Sequence, residues 1–133
     1  TRTTDRRPWS WSGKGRATPR LLSVQASDPL RKALALVEQH DITQVPVFRG
    51  AEVVGTIYDN DILKAALQDA SSLDRPVEGL MTDPLPTVLS DEPVERATRL
   101  LAARNPAVLV RENGAVIGIL TRYDMLHFIA GGS

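Results

Sequence analysis

Apolar and polar positions along this chain switch between a helical and a strand-like period, and they do so twice. Leu30, Ala33, Leu34 and Val37 recur at helical spacing, and Val94, Ala97 and Leu101 do the same further on. Each stretch is followed by two short β-rich runs, Val45–Phe48 with Val53–Ile57, and Val108–Val110 with Val116–Leu120. A second helical stripe closes each copy: Ile62, Leu63, Ala66 and Leu67 in the first, Met125, Leu126, Phe128 and Ile129 in the second. From Val45 onward the copies register at an offset of 63 residues, and before it at 64. The second copy is therefore expected to carry a loop one residue shorter after its first helix.

Local signals agree with this division. Pro29 and Pro93 are expected in the first turns of the first helices, where a missing N–H is tolerated, with Asp28 and Ser90 or Asp91 as N-caps. Asn113-Gly114 is a strong hairpin signal, because both residues accept positive φ. Arg49-Gly50-Ala51 serves the same purpose in the first copy, and the second helices are expected to begin near Asp59 and Arg122. The fold class that follows is α+β: two strand–helix–strand–strand–helix repeats packed with pseudo-two-fold symmetry, their small sheets back to back. The boundaries expected are a linker over 1–16, a first repeat over 17–75 and a second over 76–133.

Composition narrows the chemistry. The 133 residues hold 16 basic and 16 acidic side chains, so no net field draws the molecule to nucleic acid or anionic membrane. Residues 1–20 are nevertheless basic, with Arg2, Arg6, Arg7, Lys14, Arg16 and Arg20 against Asp5. That stretch, with Trp9 and Trp11, is expected to connect to an absent catalytic domain rather than to bind nucleic acid. There is no cysteine, which excludes disulfides, thiolate nucleophiles and cysteine-ligated metals. No apolar run is long enough to span a bilayer. His40 and His127 stand far apart without ligand spacing, Gly13-Lys14-Gly15 lacks the rest of a phosphate loop, and no lysine suits a Schiff base. No catalytic and no metal-ligating residues are therefore assigned, and a cytoplasmic location is expected. The start at Thr1, without methionine, suggests a piece of a longer protein.

The repeat resembles the CBS domain over residues 17–130. The residues that carry the resemblance are Val45-Pro46-Val47, the turn into Val53-Val54-Gly55, the Gly-apolar-apolar-Thr-x-x-Asp ending at Gly118–Asp124, and the lead-in Leu80-Met81-Thr82-Asp83-Pro84. The ending Val116–Ile129 and the segment Arg7-Pro8-Trp9-Ser10-Trp11 are further similar to the regulatory region of cystathionine β-synthases. By that resemblance the chain is a non-catalytic regulatory module binding S-adenosylmethionine and controlling a pyridoxal-phosphate-dependent enzyme. An AMP-, ADP- or ATP-sensing module of another enzyme or transporter, and a ligand-free dimerisation module, remain alternatives.

Thr121-x-x-Asp124 reads two ways that are compatible. It is a capping box that stabilises a helix start without any ligand. It also sets a carboxylate beside the exposed N–H groups of a helix N-terminus, which suits the hydroxyls of a ribose. The resemblance favours the second use. It also implies Ala17, Thr18 and Pro19 along one side of the pocket, Ile42, Thr43 and Gln44 at the adenine edge, and Ile119 and Tyr123 over the ring faces. Arg16, Arg20 and Arg122 are the cations available to phosphates. The matching site of the first copy is expected to be unusable, because Tyr58 stands where Thr121 stands, although Asp61 remains. The surplus apolar residues of both second helices imply a homodimer.

Overall fold

The computed structural model describes residues 21–131, and in them the repeat is visible strand by strand. The first copy runs β1 (Val24–Gln25), α1 (Leu30–His40), β2 (Gln44–Arg49), β3 (Glu52–Tyr58) and α2 (Asp59–Gln68). The second runs β4 (Thr87–Leu89), α3 (Val94–Ala102), β5 (Ala107–Glu112), β6 (Ala115–Thr121) and α4 (Arg122–Gly131). Each forms a three-stranded sheet, β1-β2-β3 and β4-β5-β6, with the first pair parallel and the second antiparallel. Even the irregularities repeat. The β2–β3 ladder shifts register between Val47 and Phe48 opposite Gly55 and Val53. The β5–β6 ladder shifts between Val110 and Arg111 opposite Gly118 and Val116.

Both hairpins close through two residues. Asn113 and Gly114 have φ of 51° and 82°, the left-handed pair that matches strand twist, while of the two residues in the first hairpin turn Gly50 alone is left-handed, at 65°. Pro46 sits mid-strand in the central strand β2, a place where proline usually breaks a ladder. It is tolerated because β1 begins pairing only at Val47, and because Thr56, opposite, turns its N–H and carbonyl to Thr82. Leu109 occupies the same place in β5 and does use its N–H, donating to the Pro86 carbonyl at 2.8 Å.

Residues 22–84 form one compact unit and residues 85–131 belong to another. The first buries Val24, Leu30, Ala33, Val45, Val47, Ile57, Ile62 and Val77, with Leu34 and Val37 packed against them. The second buries Val88, Ala97, Leu101, Val108, Val110, Leu120 and Met125. The stretch 76–84, which belongs to the second repeat by sequence register, packs with the first. Val77 is buried there, its N–H donates to the Asp28 carbonyl at 2.8 Å, and Thr82 pairs with Thr56 through two backbone hydrogen bonds.

Two local expectations need correction. Asp28 does not cap α1, nor do Ser90 or Asp91 cap α3; Pro29 and Pro93 hold the N-cap positions, without a side-chain cap. The acids close the preceding turns instead. Asp28 accepts the Gln25 N–H at 2.8 Å and pairs with Lys32, and Glu92 accepts the Leu89 N–H at 2.7 Å and pairs with Arg96. The Gln25 N–H, helped by Lys32, holds the Asp28 carboxyl below the usual carboxylate range. The second correction concerns the missing residue of the second copy, which comes out of the helix and not the loop. α3 has 9 residues against 11 in α1. The connection to the next strand is accordingly longer in the second copy, residues 103–106 against 41–43.

Candidate functional site

The start of α4 is held in place from both sides. Leu120, the next-to-last residue of β6, is buried, and Met125 fixes the first turn of α4 into the same core. Between these anchors Thr121 and Asp124 are half-buried and bond reciprocally. The Asp124 N–H donates to the Thr121 hydroxyl oxygen at 3.1 Å, and the Thr121 N–H donates to Asp124 Oδ2 at 2.9 Å. The Thr121 hydroxyl donates to the same Oδ2 at 2.9 Å. The capping box of the sequence is thus formed, and it fixes the carboxylate rotamer using one of its two oxygens. A carboxylate in the first turn also suits the positive end of the helix dipole.

Of the other residues expected here, Ile119 is half-buried on β6, and Tyr123 is 79% exposed, so its ring stands open to an incoming planar group. In the first unit, Ile42 packs on the edge of the core and Gln44 is buried. The Thr43 carbonyl accepts the Asp59 N–H at 2.9 Å, and the Thr43 hydroxyl donates to Gln44 Oε1 at 2.6 Å. Thr43 thereby ties the turn after α1 to the start of α2. Ala17, Thr18 and Pro19, like Arg16 and Arg20, lie outside the described residues.

The corresponding position of the first unit is built differently. Tyr58 is the N-cap of α2 and makes no side-chain cap bond, as its lack of a short hydroxyl dictates. Burial, and then the charge of Asp61, push the Tyr58 phenol above its ordinary value, so it stays a neutral, bulky group at that helix start.

One contact at this corner is not visible from the sequence alone. Arg122, held available for phosphate, spends its guanidinium on backbone: Nε donates to the Leu101 carbonyl at 3.1 Å and a terminal nitrogen to the Asn105 carbonyl at 3.3 Å. The signal was a cation at the first position of a helix, where the dipole disfavours it.

Set beside known proteins, the chain matches the CBS domain at residues 17–68 and again at 77–131. The chain belongs to the CBS domain family. CBS modules are regulatory and non-catalytic, and the tandem pair is what the two matches and the two sheets show. The CBS domain of a bacterial CNNM/CorC family magnesium transporter, in complex with ATP, is similar at 26% identity and a TM-score of 0.73, over 86% of this chain and 83% of that one. The CBS-pair protein CBSX2 of Arabidopsis thaliana, in complex with AMP, is similar at 31% identity and a TM-score of 0.69, over 86% of this chain and 92% of that one. An uncharacterized protein of Methanocaldococcus jannaschii is 29% identical over 82% of this chain, and the chain spans 36% of that relative's length.

Proposed function

We propose that this CBS pair binds an adenosine compound at the N-terminus of α4 and transmits its presence to an attached protein in the cytoplasm. The observation that carries the reading is the Asp124 carboxylate. Its rotamer is fixed through Oδ2 by the Thr121 N–H and hydroxyl, while Oδ1 takes no part in the cap. A preorganised carboxylate of this kind accepts from the two vicinal hydroxyls of a ribose without first losing side-chain entropy. The complexes of two similar modules with ATP and AMP support adenosine as the common part of the ligand. Ile119 and Tyr123 are proposed to cover the adenine, and Ala17, Thr18, Pro19, Ile42, Thr43 and Gln44 remain part of the proposed site on the strength of the family resemblance.

An adenine nucleotide is the first reading. S-adenosylmethionine is the second, with a pyridoxal-phosphate-dependent cystathionine β-synthase as the attached enzyme. The engagement of Arg122 with backbone carbonyls favours this second reading, since it occupies a cation otherwise free for phosphate. A panel of AMP, ATP, S-adenosylmethionine and adenosine, with GTP as control, separates them by thermal unfolding. A ligand at about 100 times its dissociation constant adds roughly 2.7 kcal/mol, a rise of several degrees. Rises with AMP and ATP above that with S-adenosylmethionine support the nucleotide; the reverse order supports the sulfonium ligand. A rise with none of them leaves a ligand-free dimerisation module.

Self-association is the second part of the proposal. On α2, Ile62 turns into the core while Leu63 and Leu67 stay exposed, Leu67 at 77%. On α4, Met125 turns inward while Leu126 and Ile129 are exposed, Leu126 at 60%. Among the described side chains of the expected apolar surplus, these four are the large ones left exposed on the two helices, and they are proposed to meet a second copy. Light scattering at micromolar concentration is expected to give about twice the 14.5 kDa chain mass, and Leu67→Glu with Leu126→Glu to return it to one chain.

A further inference from the structure

We propose that Arg122 is a positioning residue of the adenosine site and not a phosphate ligand; the inference rests on the function proposed for Thr121 and Asp124. The two repeats face the same task, joining the turn after the first helix to the start of the second. In the first repeat a backbone group does this, the Asp59 N–H donating to the Thr43 carbonyl at 2.9 Å. Asp59 also suits the positive end of α2. In the second repeat α3 stops earlier, and the connection that follows passes through Arg104 in the left-handed region, at φ 81°. The carbonyls at the end of α3 need partners from outside the helix. The Asn105 amide donates to the Leu100 carbonyl at 2.8 Å, and Arg122 reaches the Leu101 and Asn105 carbonyls.

Arg122 stands at the repeat position of Asp59, first in its helix, where a positive charge is unfavourable for α4 itself. Its placement is accounted for by the negative end of α3. A planar guanidinium spans two carbonyls at once, which an ammonium does not. The residue before it is Thr121 and the second residue after it is Asp124, so this clamp fixes the helix start that carries the proposed ribose contacts. Ala107, at the start of β5, pairs with Thr121 and closes the same corner from the strand side.

Calorimetric titration with two matched ligands tests the assignment, since adenosine lacks the phosphate that AMP carries. Arg122→Met is expected to weaken adenosine and AMP by the same factor, about tenfold, the scale of one net hydrogen bond. Arg122→Lys is expected to recover part of the loss for both ligands. A loss confined to AMP, with adenosine unchanged, would identify a phosphate ligand and overturn the proposal, as would affinities unchanged for both. Asn105→Ala serves as the second variant, since it loosens the same corner without removing any charge. It is expected to weaken both ligands equally, and unchanged affinity for either would count against the clamp. If the unaltered protein binds neither ligand, the adenosine site itself is wrong, an outcome distinct from any of these.

Discussion

Replacing Asp124 by alanine is expected to weaken binding of an adenosine compound by about 100-fold, while Asp61→Ala leaves it within about twofold. The first figure follows from two charge-assisted hydrogen bonds to ribose hydroxyls, each contributing about 1.5 kcal/mol, at about 1.4 kcal/mol for each factor of ten. Asp124→Ala also removes half of the reciprocal cap, since Oδ2 accepts from both the Thr121 N–H and its hydroxyl. A fall in stability of about 1 kcal/mol should accompany it. Thr121→Val separates the two effects, because it disrupts the cap but keeps the carboxylate. It is expected to match the stability loss with a smaller loss of affinity. Asp61 occupies the same turn of α2, but there the N-cap is Tyr58, a half-buried ring with no cap bond. Equal sensitivity of binding to Asp61 and Asp124 would show that both helix starts take ligand.

The largest stability effect is expected at Gly55. A Cβ there would lie 2.6 Å from Met81 Sδ and 2.8 Å from the Thr82 carbonyl oxygen. The thioether is flexible and can move aside. The carbonyl cannot, because Thr82 is bonded to Thr56 in both directions, at 3.0 and 2.8 Å. Gly55→Val must therefore push the 77–84 stretch off β3, with loss of those bonds and of the buried contacts of Val77 and Met81. About 3 kcal/mol is expected, at the upper end of what overpacking costs. Gly50→Ala provides the contrast, since nothing lies within 4 Å and only its left-handed φ of 65° opposes a side chain. It is expected to cost about 1 kcal/mol. Urea unfolding compares the two, and a Gly55 variant no less stable than the Gly50 variant would mean that the 77–84 stretch is not clamped as the structure has it.

Much of this architecture was legible because its signals are local. Asn113-Gly114 specifies a turn by its own φ preferences, and Thr121-x-x-Asp124 specifies a cap through bonds spanning three residues. The repeat itself supplied the rest, since each copy confirmed the strand and helix assignments of the other. What stayed hidden depends on partners distant in sequence. Helical spacing places Ile62 and Leu63 on one stripe, but only the packing of Val45, Ile57 and Val77 decides that Ile62 turns inward. A one-residue deletion between Leu30 and Val45 and their counterparts reads as a shorter loop, because loops usually absorb such changes. Here α3 ended early instead, and Asn105 with Arg122 bonds the carbonyls at its end. Asp28 before a helix satisfies the pattern of an N-cap, yet the Gln25 N–H three residues back competed for its carboxylate and won.

The most direct test of the account is the number of adenosine ligands that one chain holds. Calorimetric titration of AMP into the protein is expected to saturate at one ligand per chain, with adenosine competing for the same site. Two ligands per chain would contradict the distinction drawn between Thr121 and Tyr58. No saturable heat with AMP, ATP, S-adenosylmethionine or adenosine up to millimolar concentration would contradict adenosine sensing altogether.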